Sequence, residues 1–204
     1  MEEEEQQSTQ QDEESPRRQV HSLLGPAAVF YGILMAAAII WRYLAGHAGP
    51  FSAAPARSAP WTETGIVAGV FLLNVLVDLY GPRLSRRVER MFATLRSALG
   101  RISPAEAAAL AALSAFGEEA FFRGALQPEL GFWPALLIFA ASHFPARRDL
   151  ILWPFYALAM GAALGYLVIL SGDIWSAVLL HFLVNLFSLL YMSRMERRDR
   201  IEAQ

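Results

Sequence analysis

The sequence predicts an all-α integral membrane protein of about six transmembrane helices plus one basic amphipathic interfacial helix. Three observations carry this. The chain of 204 residues is 55% hydrophobic, with mean hydropathy +0.33, and its apolar residues fall in long runs rather than in one-sided stripes. The net charge of only -2 conceals a segregation, with acids at the N-terminus and the basic residues, all arginine, clustered between the apolar runs. There is no cysteine, which excludes disulfides, thiolate metal ligands and a cysteine nucleophile.

In chain order, residues 1–19 are polar and acidic (Glu2 to Glu5, Asp12 to Glu14) and are expected to form a disordered tail. An acidic start is unlike a cleavable signal peptide, which needs a basic leading region. The first span runs from about Leu23 to Leu44, long enough for a hydrocarbon core of roughly 30 Å. A Gly, Pro, Ala and Ser-rich loop, Gly46 to Pro60, follows. The second span, about Thr64 to Tyr80, carries Asn74 and Asp78 four apart, read as a helix-packing or interfacial pair, and Gly81-Pro82 is expected to end it.

Arg83 to Arg101 interleaves six arginines with Leu84, Val88, Met91, Phe92, Leu95 and Leu99. That pattern fits a helix on an anionic membrane surface, so membrane lipids are the expected partner. No nucleic acid is expected, because the flanking spans hold the segment against lipid. Ser103, Pro104 and Glu106 form a helix-start signature that launches the third span. A short run from about Phe132 to Phe144 is too short to cross squarely alone, and is either thickened by Pro145 to Arg148 or broken and embedded in protein. The fifth span covers about Leu150 to Leu170, with Gly161, Ala162 and Gly165 as a small-residue packing face. A turn at Ser171-Gly172-Asp173 leads to the sixth, Ile174 to Met192, and then to the basic tail 194–204. Six spans with both ends cytoplasmic place almost every loop arginine inside and only Arg57 outside, as the positive-inside rule requires.

The third span contains the stretch that organises the rest, Gly117-Glu118-Glu119-Ala120-Phe121-Phe122-Arg123-Gly124. Ionisable groups inside an apolar span are costly and mark function by default. Glu119 and Arg123, four apart, share a helix face and can pair. Glu118 lies roughly 100° further round and is left without that partner. Two other motifs follow: Phe139 to His143 in the fourth span, and His181 with Asn185 in the sixth. At about 1.5 Å per residue, Glu118, His143 and His181 lie roughly 12, 16 and 10 Å from the outer ends of their spans, a common depth.

A buried glutamate can take a proton from water, with a histidine beside it helping to hold that water. A second histidine and an asparagine amide can donate to a developing oxyanion. Together these suit peptide-bond hydrolysis. Glu118, His143 and His181 are also a usable zinc ligand set. Zinc or another divalent metal therefore stays open as a cofactor. None is favoured, because Asn185 is a poor zinc ligand. The sequence has no His-Glu-x-x-His, no rhomboid-type Gly-x-Ser-Gly and no paired-aspartate motif. Nor does it show the repeated, broken helices expected of a transporter.

The three motifs, in order over about Ala105 to Leu190, resemble the CPBP family of intramembrane endopeptidases, which includes the CAAX prenyl endopeptidases (the Abi family) and bacteriocin-processing and self-immunity proteins. The resemblance implies a helical bundle around a mid-membrane catalytic cavity. It makes Glu118 the base that activates water, His143 the residue that positions it, and His181 with Asn185 the oxyanion site. Glu119, Arg123 and Phe139 become supporting residues. Family members have been described as glutamate-type proteases and as metalloproteases, so the resemblance leaves the metal open as well. The chain is thus expected to divide into the tail 1–19, two spans and the interfacial helix at 20–103, a core at 104–193 that resembles the family's catalytic core, and the tail 194–204. The expected substrate is a membrane-associated protein or peptide, and the expected location is the inner (cytoplasmic) membrane of a bacterium, crossed several times. The competing expectation is a non-catalytic scaffold or self-immunity protein on the same bundle.

Overall fold

The structure, a computed structural model, describes residues 2–47, 49–51, 59–100, 102–145 and 147–202, with side chains from residue 23 to residue 195. Most of the 46–60 loop, including Arg57, lies outside the described residues, as does Arg101. The described residues are helical and contain no strand. The helices are α1 (Glu2–Leu44), α2 (Pro60–Leu84), α3 (Arg86–Leu99), α4 (Pro104–Glu118), a π-helical segment (Glu119–Leu126), α5 (Gln127–Leu130), α6 (Phe132–Ser142), α7 (Trp153–Ser171) and α8 (Trp175–Glu202).

Four helical stretches among the described residues are long and apolar enough to cross a membrane: Leu23–Leu44, Pro60–Leu84, Arg148–Ser171 and Trp175–Met195. The chain is an all-α, multi-pass membrane bundle. The third expected span is one helical rod from Pro104 to Leu130 whose register changes in the π segment. Its start carries the capping box: Ser103 Oγ accepts from the Glu106 amide at 3.2 Å, and the Ser103 amide donates to Glu106 Oε2 at 2.7 Å. The fourth, α6, has only 11 residues; Ala135, Leu136 and Phe139 are buried on one face, while Trp133, Leu137 and Ile138 are exposed on the other.

Two expectations are corrected, at the acidic N-terminal segment and at Pro82. The acidic N-terminal segment is helical from Glu2 in its backbone. Glu, Gln and Arg are good helix formers, and carboxylates favour a helix N-terminus. The basic C-terminal tail continues α8 to Glu202. Pro82 does not end α2, which runs on to Leu84 and breaks at the extended Ser85. A proline this near a helix end removes only one backbone bond.

The basic amphipathic helix expected over 83–101 is present as α3, and part of its apolar face packs on protein. Met91 and Phe92 are buried, in a cluster with Met192 of α8 and with Leu150, Leu152 and Trp153 at the start of α7. The helix closes one end of the bundle, which leaves its arginine face outward. The side chains that would sink into a bilayer find protein instead, at lower cost because α8 presents a matching apolar surface.

Asn74 and Asp78 are buried and form a helix-packing network. Ser188 Oγ donates to Asp78 Oδ2 at 2.5 Å, Asn74 Nδ2 donates to the same oxygen at 3.3 Å, and the Tyr156 hydroxyl donates to Asn74 Oδ1 at 2.6 Å. This joins α2 to α7 and α8. The expected glycine face of α7 is also used. A Cβ at Gly161 would lie 2.7 Å from Phe139 Cδ1, and one at Gly165 would lie 2.8 Å from Gln127 Oε1, so both helices that flank α7 here rely on the missing side chains.

Candidate active site

The π segment begins one residue after Glu118. A wider turn here presents Glu118 and Glu119 in different directions, and such segments cluster at functional sites. Glu119 is fully buried. Its Oε1 accepts from Arg123 Nη1 at 3.0 Å and lies 2.7 Å from His181 Nδ1. Arg123 Nη2 donates to the Gly161 carbonyl at 3.2 Å, and its guanidinium lies 4.1 Å from the Phe139 ring centroid. The Glu119–Arg123 pairing expected from spacing is present. The structure adds His181 to it, so this histidine is held by Glu119 rather than by Glu118.

Glu118 is buried, and its Oε2 has no hydrogen-bond partner. His143 Nε2 stands 3.8 Å from that oxygen, too far for a direct hydrogen bond. His143 caps the C-terminal end of α6, so the shortness of that helix is what brings the imidazole to Glu118. Its Nδ1 lies 2.8 Å from the Phe139 carbonyl, which can only accept. Nδ1 therefore carries a hydrogen, and Nε2 is the nitrogen turned toward Glu118; in the neutral ring it presents a lone pair there. Phe139 does two things from one position. Its carbonyl fixes the His143 tautomer, and its buried ring lies against Arg123 and, edge-on, against Phe122 at 5.0 Å.

Asn185 Nδ2 donates to Ser114 Oγ at 2.8 Å, and Ser114 Oγ donates to the Ala111 carbonyl at 3.1 Å. One hydrogen of the amide is thus committed and one remains free. Glu118, His143, His181 and Asn185 all line one cavity of about 660 Å³, together with apolar side chains including Leu23, Pro26, Leu99 and Met192.

Among the described residues no three His, Asp or Glu side chains come close enough together to hold a metal ion. Two imidazoles and a carboxylate are suitable donors for zinc in kind. The binding of His181 Nδ1 to Glu119 would even suit a ligand whose other nitrogen is engaged. The three groups are nevertheless not gathered into one ligand set here, and the chemistry below runs through side chains alone.

Three contributors were not picked out from the sequence. Ser114, one turn before Glu118 on the same helix, orients Asn185; its i, i+4 relation to Glu118 was an available signal. Gly161 supplies the carbonyl for Arg123. Tyr31, from α1, lines the cavity beside Glu118. A tyrosine in the middle of a span, away from the interfacial belts, was its signal.

Fold and site define a class: a polytopic helical membrane protein with a carboxylate–imidazole centre in an internal cavity. Comparison with known sequences narrows it. Residues 101–187 match the profile of the type II CAAX prenyl endopeptidase Rce1-like family, so the resemblance carried by the three motifs is shown over that segment. Over 78 residues the chain is 38% identical to YpbD, an uncharacterized protein of Bacillus subtilis strain 168, a stretch that covers 37% of this chain and 40% of the relative. No solved structure matches the chain.

Proposed function

We propose that this protein is an intramembrane endopeptidase that hydrolyses a peptide bond of a membrane-associated protein or peptide. The observation that carries the proposal is the unpartnered Glu118 Oε2 standing 3.8 Å from His143 Nε2 on the wall of one cavity. A water bridging the two satisfies both groups. As its oxygen attacks the carbonyl carbon, Glu118 takes one proton. The free Asn185 amide hydrogen and the Nε2 hydrogen of a doubly protonated His181 donate to the oxyanion. Glu118 then returns the proton to the departing amine as the C–N bond breaks.

Positioned base catalysis of this kind contributes about 10²–10⁴-fold, and one oxyanion donor about 10²–10³-fold. Glu119, held by Arg123, fixes the His181 ring so that its second nitrogen is available to substrate. The Rce1-like profile over 101–187 supports protease chemistry, and the glutamate-type route is the one these contacts serve. The arginine distribution supports an inner-membrane protein with both termini cytoplasmic.

The test is cleavage by the purified chain in liposomes of a panel of quenched-fluorescent apolar peptides, with and without a prenylated C-terminal cysteine. In ¹⁸O-labelled water the wild type should place one ¹⁸O in the new carboxylate, before and after exhaustive chelation. Cleavage lost on chelation and restored by zinc would replace the glutamate mechanism with a metal one. Binding without cleavage of any panel peptide would oppose the hydrolase itself.

A further inference from the structure

The segment that matches the protease profile begins at residue 101, yet the cavity is completed by a helix that lies outside it. We infer that α1 is part of the site, and that Tyr31 is a positioning residue which holds the Glu118 carboxylate for the reaction. Tyr31 supplies the only side-chain hydroxyl between Leu23 and Trp41. Its backbone is pressed against the catalytic helix at the residue before Glu118. A Cβ added at Gly117 would stand 2.8 Å from Tyr31 Cβ and 3.0 Å from its carbonyl oxygen. Only glycine permits that approach, and the approach sets Tyr31 beside Glu118 with both side chains on the cavity wall.

The division of labour follows from the hydrogen bonds. Glu119 is occupied by Arg123 and His181, and neither of these donates to Glu118. His143 Nε2 presents a lone pair and is too distant to bond directly. The Tyr31 hydroxyl, brought to the same cavity wall by the close approach at Gly117, is the donor the inference assigns to this carboxylate. A carboxylate in an apolar cavity with a single donor is fixed in rotation, so one edge is held and the other is left for water. The neighbouring Phe30 ring, edge-on to Tyr31 at 5.1 Å, limits the swing of the phenol. Val29, Ile33 and Ile40 of α1 are exposed, whereas Ala38 and Arg42 are buried, Arg42 against Glu129. At the level of the cavity Tyr31 is the polar side chain that α1 supplies.

The catalytic consequence rests on the hydrolase reading, whereas the contact does not, and two measurements keep them apart. In the purified full-length chain with ring-labelled tyrosine, Tyr31→Phe identifies the infrared phenol C–O band of Tyr31. That band should shift in Glu118→Gln and stay in place in Glu129→Gln. A band unmoved by Glu118→Gln overturns the inference. On whichever panel peptide the wild type cleaves, Tyr31→Phe should lower kcat about tenfold with KM within about twofold, as loss of one hydrogen bond to a charged group predicts. Tyr31→Phe keeps the ring and its packing against Gly117, so an unchanged kcat overturns the positioning role even where the band shifts. Should the wild type cleave no peptide, the hydrolase reading fails, and the infrared result alone decides whether α1 holds Glu118.

Discussion

Replacing Arg123 with methionine removes the cation from the most enclosed charged group in the bundle. Glu119 would remain fully buried, with Oε2 already lacking a partner and Oε1 losing its 3.0 Å bond. The Gly161 carbonyl would lose its 3.2 Å donor as well. Breaking a buried ion pair costs about 3–5 kcal/mol. His181 Nδ1, 2.7 Å from Glu119 Oε1, still compensates part of the charge, so the lower end, about 3 kcal/mol, applies. For a chain of this size that is a fall in Tm of about 6–12 °C. The assay is unfolding in detergent micelles, by temperature and by SDS titration. Glu119→Gln placed on Arg123→Met removes the stranded charge and keeps an acceptor for His181, and it should recover about half of the loss. A single variant as stable as the wild type, or a double variant no better than the single, would refute the claim that Arg123 exists to compensate Glu119.

Two further outcomes follow from packing and capping. Gly117→Ala gains about 1 kcal/mol of helix propensity, but its methyl would press on the Tyr31 backbone at 2.8–3.1 Å. Overpacking of about 1–3 kcal/mol should prevail, and thermal melting checks it; an unchanged or raised Tm contradicts the close approach. Ser103→Ala breaks the capping box of α4 and should cost about 1 kcal/mol. Hydrogen exchange at the Glu106 amide should quicken while the amides of α7 stay protected, and a uniform response would contradict a local cap.

The fold was legible where burial is uniform and local chemistry explicit. The first span was readable, with its C-terminal end at Leu44, because it is an unbroken apolar run. The Ser103 cap was readable because its partners are three residues apart. What stayed hidden depends on neighbours distant in sequence. The amphipathic pattern of α3 announces an apolar face but not what covers it, and here Met192 and Trp153 do so rather than lipid. In the site, Glu119 and Arg123 could be paired by helix spacing, and that pairing is present. The bond from Glu119 to His181 spans 62 residues and leaves no local trace. The π register after Glu118 also has no pattern of its own, since it arises from what the surrounding helices demand of that turn.

The central claim is that Glu118, poised against His143, activates water for peptide hydrolysis. Its most direct test is cleavage of a single panel peptide by wild type and Glu118→Gln in the same liposomes, with melting temperatures matched beforehand. Glu118→Gln keeps the shape and removes only the base, so kcat should fall at least about 10²-fold while peptide binding persists. Cleavage at the wild-type rate by a folded Glu118→Gln protein would contradict the account.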